Sequence, residues 1–259
     1  MKTKINTLLF SLGTIVALTS CGGAGKENPS GQTGDSLEIH NTQLQRSAKL
    51  FKEAALPFTV DTAFIFKIAK GDSLGGFEIK SLATTIFKHS LTEGLQDELN
   101  TFYKIDSLKE VGAYKMYCDS MDIGMTKYFT AHALNEFHLD ANTLILVWGL
   151  RSSSYEACPY SEAQNVYFTI VYKGDVGETF LLGESSTWAD APVSSERTVT
   201  SKLAADGTLT VDVLQINDQD PDSTTVEVSR EQNLFTIKDG VIKFVSNKPG
   251  QSGNEKRKK

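Results

Sequence analysis

The stretch Thr143–Leu150, TLILVWGL, is apolar almost without interruption and does not alternate. A strand with one wet face alternates apolar and polar residues. A continuous apolar run of this length, rich in β-branched and aromatic side chains, instead predicts a central strand covered on both faces. The chain must therefore supply a sheet together with layers on both sides of it, and that need constrains everything around it. With 259 residues and ordinary apolar and charged fractions, a core of that kind is within reach.

The neighbouring segments read as more strands. Tyr114–Met121, Thr126–Leu134, Val166–Lys173 and Glu178–Gly183 are candidates. In the third of these, Val166, Phe168, Ile170 and Tyr172 face one way, and Tyr167, Thr169 and Val171 the other. Two hairpins can be registered by hand. Asp239-Gly240 is a two-residue turn that pairs Ile237 with Ile242 and Phe235 with Phe244. At Asp206-Gly207 a two-residue loop would scatter polar groups over both faces. A three-residue loop, Ala205–Gly207, pairs Leu203 with Leu209 and Val199 with Val213, and it leaves a cleaner apolar face. Successive hairpins imply an antiparallel meander.

The first half of the body reads differently. Leu44, Ala48, Phe51 and Ala55 share a helical face, so a helix is expected over Thr42–Ala55, stopped by Pro57. Phe58, Val60, Phe64, Phe66 and Ile68 suggest one or two strands interrupted at Asp61-Thr62. Phe77–Ser81 and Thr84–His89 read as a strand pair after a turn over Gly71–Gly76. Ser90 with Glu93 looks like a capping box for a second helix carrying Leu91, Leu95, Leu99 and Phe102 to about Tyr103. The expected class is α+β: two N-terminal helices with short strands, then a predominantly antiparallel β-meander, in one domain over 42–246. The alternative is two subdomains split near residue 110.

The N-terminus supplies an address. Met1–Asn6 is short and basic, and Leu8–Leu18 is mostly apolar. As a helix the latter spans about 17 Å, against a hydrocarbon core of about 30 Å, so it reads as a signal peptide over residues 1–20. It ends in Leu18-Thr19-Ser20-Cys21, which resembles the lipobox of bacterial lipoproteins. That resemblance implies cleavage before Cys21, lipid on its thiol and acylation of the new amine. More than one acyl chain gives stable anchoring. In lipoproteins an acid after the cysteine signals retention in the inner membrane, so with Gly22 there the resemblance implies the outer membrane of a Gram-negative cell, with the periplasmic and surface faces both open. The Gly/Ser-rich segment from Gly22 onward reads as a flexible tether, to about residue 41. Residues 247–259, ending in Lys256-Arg257-Lys258-Lys259, read as a basic, disordered tail. The body resembles β-rich lipoproteins of Gram-negative envelopes, a likeness that implies no activity.

Candidate chemistry is sparse. The net charge is −6, and more negative without the basic tail, so nucleic acid is not an expected partner. With Cys21 lipidated, Cys118 and Cys158 remain, either as a disulfide stabilising the fold by about 4 kcal/mol or as two unpaired core cysteines. The histidines are His40, His89, His132 and His138. His132 and His138, with Glu136 or Asp140, could be placed on one strand face as metal ligands, but no HExxH pattern supports this and structural histidines are the better reading. Asp218, Asp220 and Asp222 open like a calcium loop. Ser223 and Ser229 stand where its glycine and closing glutamate belong, so a solvated acidic turn is preferred. The stretch from Gly183, GESST, lacks the second glycine of a nucleophile elbow, and no phosphate-binding glycine loop is present. No catalytic residue, metal or cofactor is therefore expected.

The two tryptophans separate. Trp148 lies in the buried run and reads as core. Trp188 lies in the loop-like stretch Glu184–Pro192, where an exposed aromatic would contact a ligand. The expected function is that of a lipid-anchored envelope protein, a non-catalytic binding or structural component. A carbohydrate- or peptide-binding module and an envelope hydrolase are the alternatives. The membrane, through the lipid anchor, and an envelope protein or glycan are its expected partners.

Overall fold

In the computed structural model, residues 39–40, 42–119, 126–155, 160–220 and 222–256 are described. The elements run α1 (Thr42–Ala48), β1 (Lys52–Glu53), β2 (Phe58–Val60), α2 (Thr62–Ile65), a 3-10 turn (Ile68–Lys70), β3 (Asp72–Leu74), α3 (Gly76–Leu82), β4 (Thr85–Ile86), a second 3-10 turn (Ser90–Thr92), α4 (Leu95–Glu110) and α5 (Tyr114–Asp119). Long strands follow: β5 (Thr126–Asp140), β6 (Thr143–Tyr155), β7 (Tyr160–Tyr172), β8 (Asp175–Asp190), β9 (Val193–Leu203), β10 (Thr208–Asp218), β11 (Thr225–Lys238) and β12 (Val241–Pro249), then the short β13 (Gly253–Lys256). The protein is mostly β, with a large mixed sheet and a few helices.

Among the described residues the sheet has 13 strands, and β5 to β12 lie side by side in sequence order. Every neighbour along that run is antiparallel. The short strands decorate it: β1 pairs with β5 and β4 with β8 in parallel, while β2 and β3 pair antiparallel with β9 and β5. Both hairpin registers agree with the hand-derived pairings. Leu203 faces Leu209 and Val199 faces Val213, with Gly207 at φ 82°. Ile237 faces Ile242 and Phe235 faces Phe244 across Asp239-Gly240, whose φ values of 52° and 75° define the expected mirror-image turn.

Residues 143–150 are all buried, as a doubly covered strand requires. On one side, α3 and α4 close over the sheet. There Trp148 lies opposite Tyr167, with ring centroids 4.8 Å apart. The Trp148 indole donates to Thr169 Oγ1 at 3.0 Å. Thr169 and Thr179 share a hydrogen bond, and Thr179 Oγ1 donates to the Leu82 carbonyl of α3 at 3.2 Å. On the other side Gly149, Val166 and Gly183 form a cross-strand row. A Cβ on Gly149 would lie 2.5 Å from Ile68, and one on Gly183 would lie 2.5 Å from Val60. The absent side chains let β2, α2 and the first 3-10 turn settle against the strands. Side chains from all these layers belong to a single hydrophobic cluster.

The short elements depart from expectation in several places. α1 ends at Ala48, and the chain beyond it, expected to be helical to Ala55, covers the β5 edge as β1. Asp61 is not a break between strands: it caps α2, accepting from the Phe64 N–H at 2.7 Å. Ile65 and Ile68, three apart, face the core, while Phe66 is exposed. The Phe77–Ser81 segment is helical, burying Ile79 and Leu82. Ser90–Thr92 forms a separate 3-10 turn that His89 caps, and α4 starts only after Gly94 and continues to Glu110. Tyr114–Asp119 is a helix rather than a strand.

Two boundaries also move. Ile39 is buried in the core and the His40 N–H donates to the Gly174 carbonyl, so the body already includes residue 39, inside the expected tether. The expected disordered tail from 247 is instead paired as far as 256. β12 runs to Pro249 and β13 pairs with β11, where Arg230 and Glu255 form an ion pair at 2.6 Å. Cys21 and Cys158 lie outside the described residues, as does the Cys118 side chain. The anchor and the disulfide rest on those positions.

Candidate functional site

Residues directly opposite each other in an antiparallel sheet share a face. Past the apolar cover, that rule assembles two polar rows on the α4 side of the sheet. The inner row reads Ser152, Ala163, Ser186, Arg197, Gln215 across β6 to β10. The outer row reads Ser154, Ser161, Trp188, Ser195, Asn217. The side chains are small except at Arg197, Gln215 and Trp188, so the rows form a trough. A cleft of about 300 Å³ follows it, lined by residues of both rows and by Glu98 and Glu162. A second, of about 320 Å³, continues past Glu98 to Asp97, Thr101 and Phe129, with Ser152 and Ser161 shared between the two.

Glu98 stands where the clefts meet, in the first turn of α4. Asn165 Nδ2 donates to both its oxygens, at 3.4 and 3.2 Å, and the Tyr167 hydroxyl donates to Oε2 at 3.2 Å. Burial raises the Glu98 pKa above the usual carboxylate value. The bonds from Tyr167 and Asn165 oppose that shift, and the nearby Glu184 charge adds to it. Tyr167 is held well above an ordinary phenol, by burial first and then by the charges of Glu98 and Glu184. Asn165 is 5% exposed, and its Oδ1 finds no hydrogen-bond partner among the described residues.

Opposite Asn165 on β8, Glu184 has both oxygens engaged. Arg197 pairs with its Oε2 at 2.9 Å, and the Ser186 hydroxyl donates to Oε1 at 2.6 Å. Along the outer row Ser195 donates to Asn217 Oδ1 at 3.0 Å, and Gln215 Nε2 donates to the same oxygen at 3.2 Å. These bonds fix the trough floor. Trp188 stands between Ser161 and Ser195 on the neighbouring strands and is 43% exposed. It belongs to a strand rather than to the expected loop, yet it presents an aromatic ring to solvent in the wall of a polar cleft. Trp148, the other tryptophan, is fully buried.

The remaining candidates take structural positions. A bulge between Ala133 and Asn135 adds one residue to β5. His132 then lies opposite Gly149 and His138 opposite Leu144, which are on opposite faces of β6, so the two histidines do not converge. His132 Nδ1 bonds the Gly71 carbonyl oxygen at 3.0 Å. Among the described residues no three His, Cys, Asp or Glu side chains are grouped to hold a metal. Asp220 accepts from the Asp222 N–H at 3.0 Å within a turn. His40 meets Asp175 at 3.1 Å. His89 packs among Phe87, Phe180, Phe235 and Phe244; burial lowers its pKa, and Nδ1 accepts from the Leu91 N–H at 3.2 Å. It borders a larger, open recess of about 710 Å³ beside residues 84–96, but its ring is committed to that packing.

Sequence reasoning named Trp188 and missed Glu98, Asn165, Glu184 and Arg197. Glu98 reaches a strand residue 67 positions away, a contact without local signature. No helix among the described residues is long and apolar enough to cross a membrane. No protein-family model, curated protein or solved structure matches this chain.

Proposed function

We propose that this chain is a cell-envelope lipoprotein, held to the outer membrane through Cys21, whose body is a non-catalytic module that binds carbohydrate in the trough at Trp188. One observation carries the reading: a half-exposed tryptophan set in a row of hydroxyl and amide side chains. An aromatic face packs against the C–H face of a sugar ring while the flanking Ser, Asn and Gln groups exchange hydrogen bonds with its hydroxyls. The acidic lining disfavours anionic ligands. The hydrolase alternative needs two free, convergent carboxylates. Both oxygens of Glu184 are already engaged, and Glu162 accepts from the Tyr160 hydroxyl at 2.6 Å.

The test is a glycan array probed with the soluble body, followed by calorimetry on the ligands retained. Binding that falls at least tenfold in Trp188→Ala is expected. Retention of no glycan, or binding indifferent to Trp188, would remove the reading. For the anchor, the expected result is mass spectrometry of the native protein finding an acylated Cys21 at the N-terminus. A retained Met1 would contradict it.

A further inference from the structure

We propose that the trough selects a glycan bearing a free, protonated amine, with the ammonium seated on Glu98 beside Asn165 and a neighbouring sugar ring on Trp188. This rests on the carbohydrate reading and names the ligand class. The first argument is charge. The two joined clefts carry Asp97, Glu98 and Glu162, while the one cation among their described lining residues, Arg197, is paired with Glu184. Among the described residues no cation lies within ion-pair distance of Glu98.

The second argument is hydrogen-bond capacity. Asn165 is almost wholly buried, and its Oδ1 accepts from nothing among the described residues. Its Nδ2 is already spent on Glu98. Among the described residues, therefore, a carboxylate lacking a cation stands in the cleft lining with an orphan acceptor buried behind it. A buried acceptor left without a donor is costly, and an ammonium brings three donors with the charge that Glu98 lacks. A neutral hydroxyl supplies one donor and no charge.

The third argument is distance. Asn165 and Ser161 lie four residues apart on β7, and Ser161 is the direct neighbour of Trp188. At about 3.3 Å per residue Asn165 and the Trp188 row are separated by about 13 Å. One sugar ring does not bridge that interval; a chain of two or more rings does, with the amine at one end and a stacked ring at the other.

The probes are a β-linked glucosamine oligomer and its fully N-acetylated counterpart of equal length, titrated into the wild-type body by calorimetry at near-neutral pH, above the raised Glu98 pKa and where the oligomer's amines still carry protons. The expected result is at least tenfold tighter binding of the free amine, an advantage that shrinks as salt is raised. In Glu98→Gln, which keeps an acceptor for Tyr167, the two oligomers should bind alike. Equal affinity of the wild type for both, lost for both in Trp188→Ala, would overturn the amine selectivity and leave the carbohydrate reading standing. Binding of neither oligomer would overturn this inference, and an empty glycan array would take the carbohydrate reading with it.

Discussion

The same strands behave differently at their two ends. Over Leu144–Leu150, Val166–Val171 and Phe180–Leu182 they are buried on both faces, held by aromatic contacts and by glycines that admit a second layer. A few residues along, at Ser152–Ser154, Ser161–Ala163 and Ser186–Trp188, the side chains are partly open and, apart from Glu162 and Trp188, small. The hydrogen-bonded ladder is continuous through both ends. Backbone pairing therefore does not distinguish them; side-chain choice does. A rigid apolar end holds the polar end in register, and the polar end is left free to carry a ligand.

That contrast can be broken most forcefully at Trp148. Replacing it with Ala removes a fully buried ring, its Tyr167 contact and its bond to Thr169, and should lower unfolding free energy by about 3–5 kcal/mol in denaturant titrations. At Gly149, alanine forces a methyl into Ile68, and a loss of about 1–3 kcal/mol is expected by the same assay. Arg197→Met strands the carboxylate of Glu184, 10% exposed, for a loss of about 1–3 kcal/mol. Trp188→Ala should stay within about 0.5 kcal/mol of wild type, because its ring is half in water. A large destabilisation there would erase the distinction between the two ends.

The acid at their junction gives a smaller effect with a definite sign. Burial raises the Glu98 pKa in the fold, so the folded state retains a proton that the unfolded chain has already released. This contribution to stability is present below the ordinary glutamate value and declines as pH rises through the raised one. Glu98→Gln should flatten that decline in melting temperature measured across the acidic-to-neutral range. An unchanged pH slope would mean that Glu98 is not desolvated.

Much of the meander was legible because strand pairing obeys a period of two and its turns carry their own residues. Asp239-Gly240 and Ala205–Gly207 fixed registers that agree with the observed pairs. The short elements were not. Phe64, Phe66 and Ile68 fit an alternating pattern as readily as Ile65 and Ile68 fit a helical one. The choice is made by glycines more than eighty residues away, at 149 and 183, whose bare backbones receive Ile68 and Ile65. Tyr114–Asp119 failed for a related reason: aromatic residues favour strands on average, and this segment instead follows α4 as a helix. Of the candidate site, only Trp188 could be read, as an aromatic among polar neighbours. Glu98 meets Asn165 and Tyr167 through tertiary packing alone.

Acrylamide quenching of tryptophan fluorescence in the wild-type protein tests the division of labour most directly, since the chain has two tryptophans, one at each end. The account predicts one shielded and one quenchable population, with saturating amine-bearing oligosaccharide protecting the quenchable one and leaving the other unchanged. Quenching that is identical with and without the oligosaccharide would contradict it.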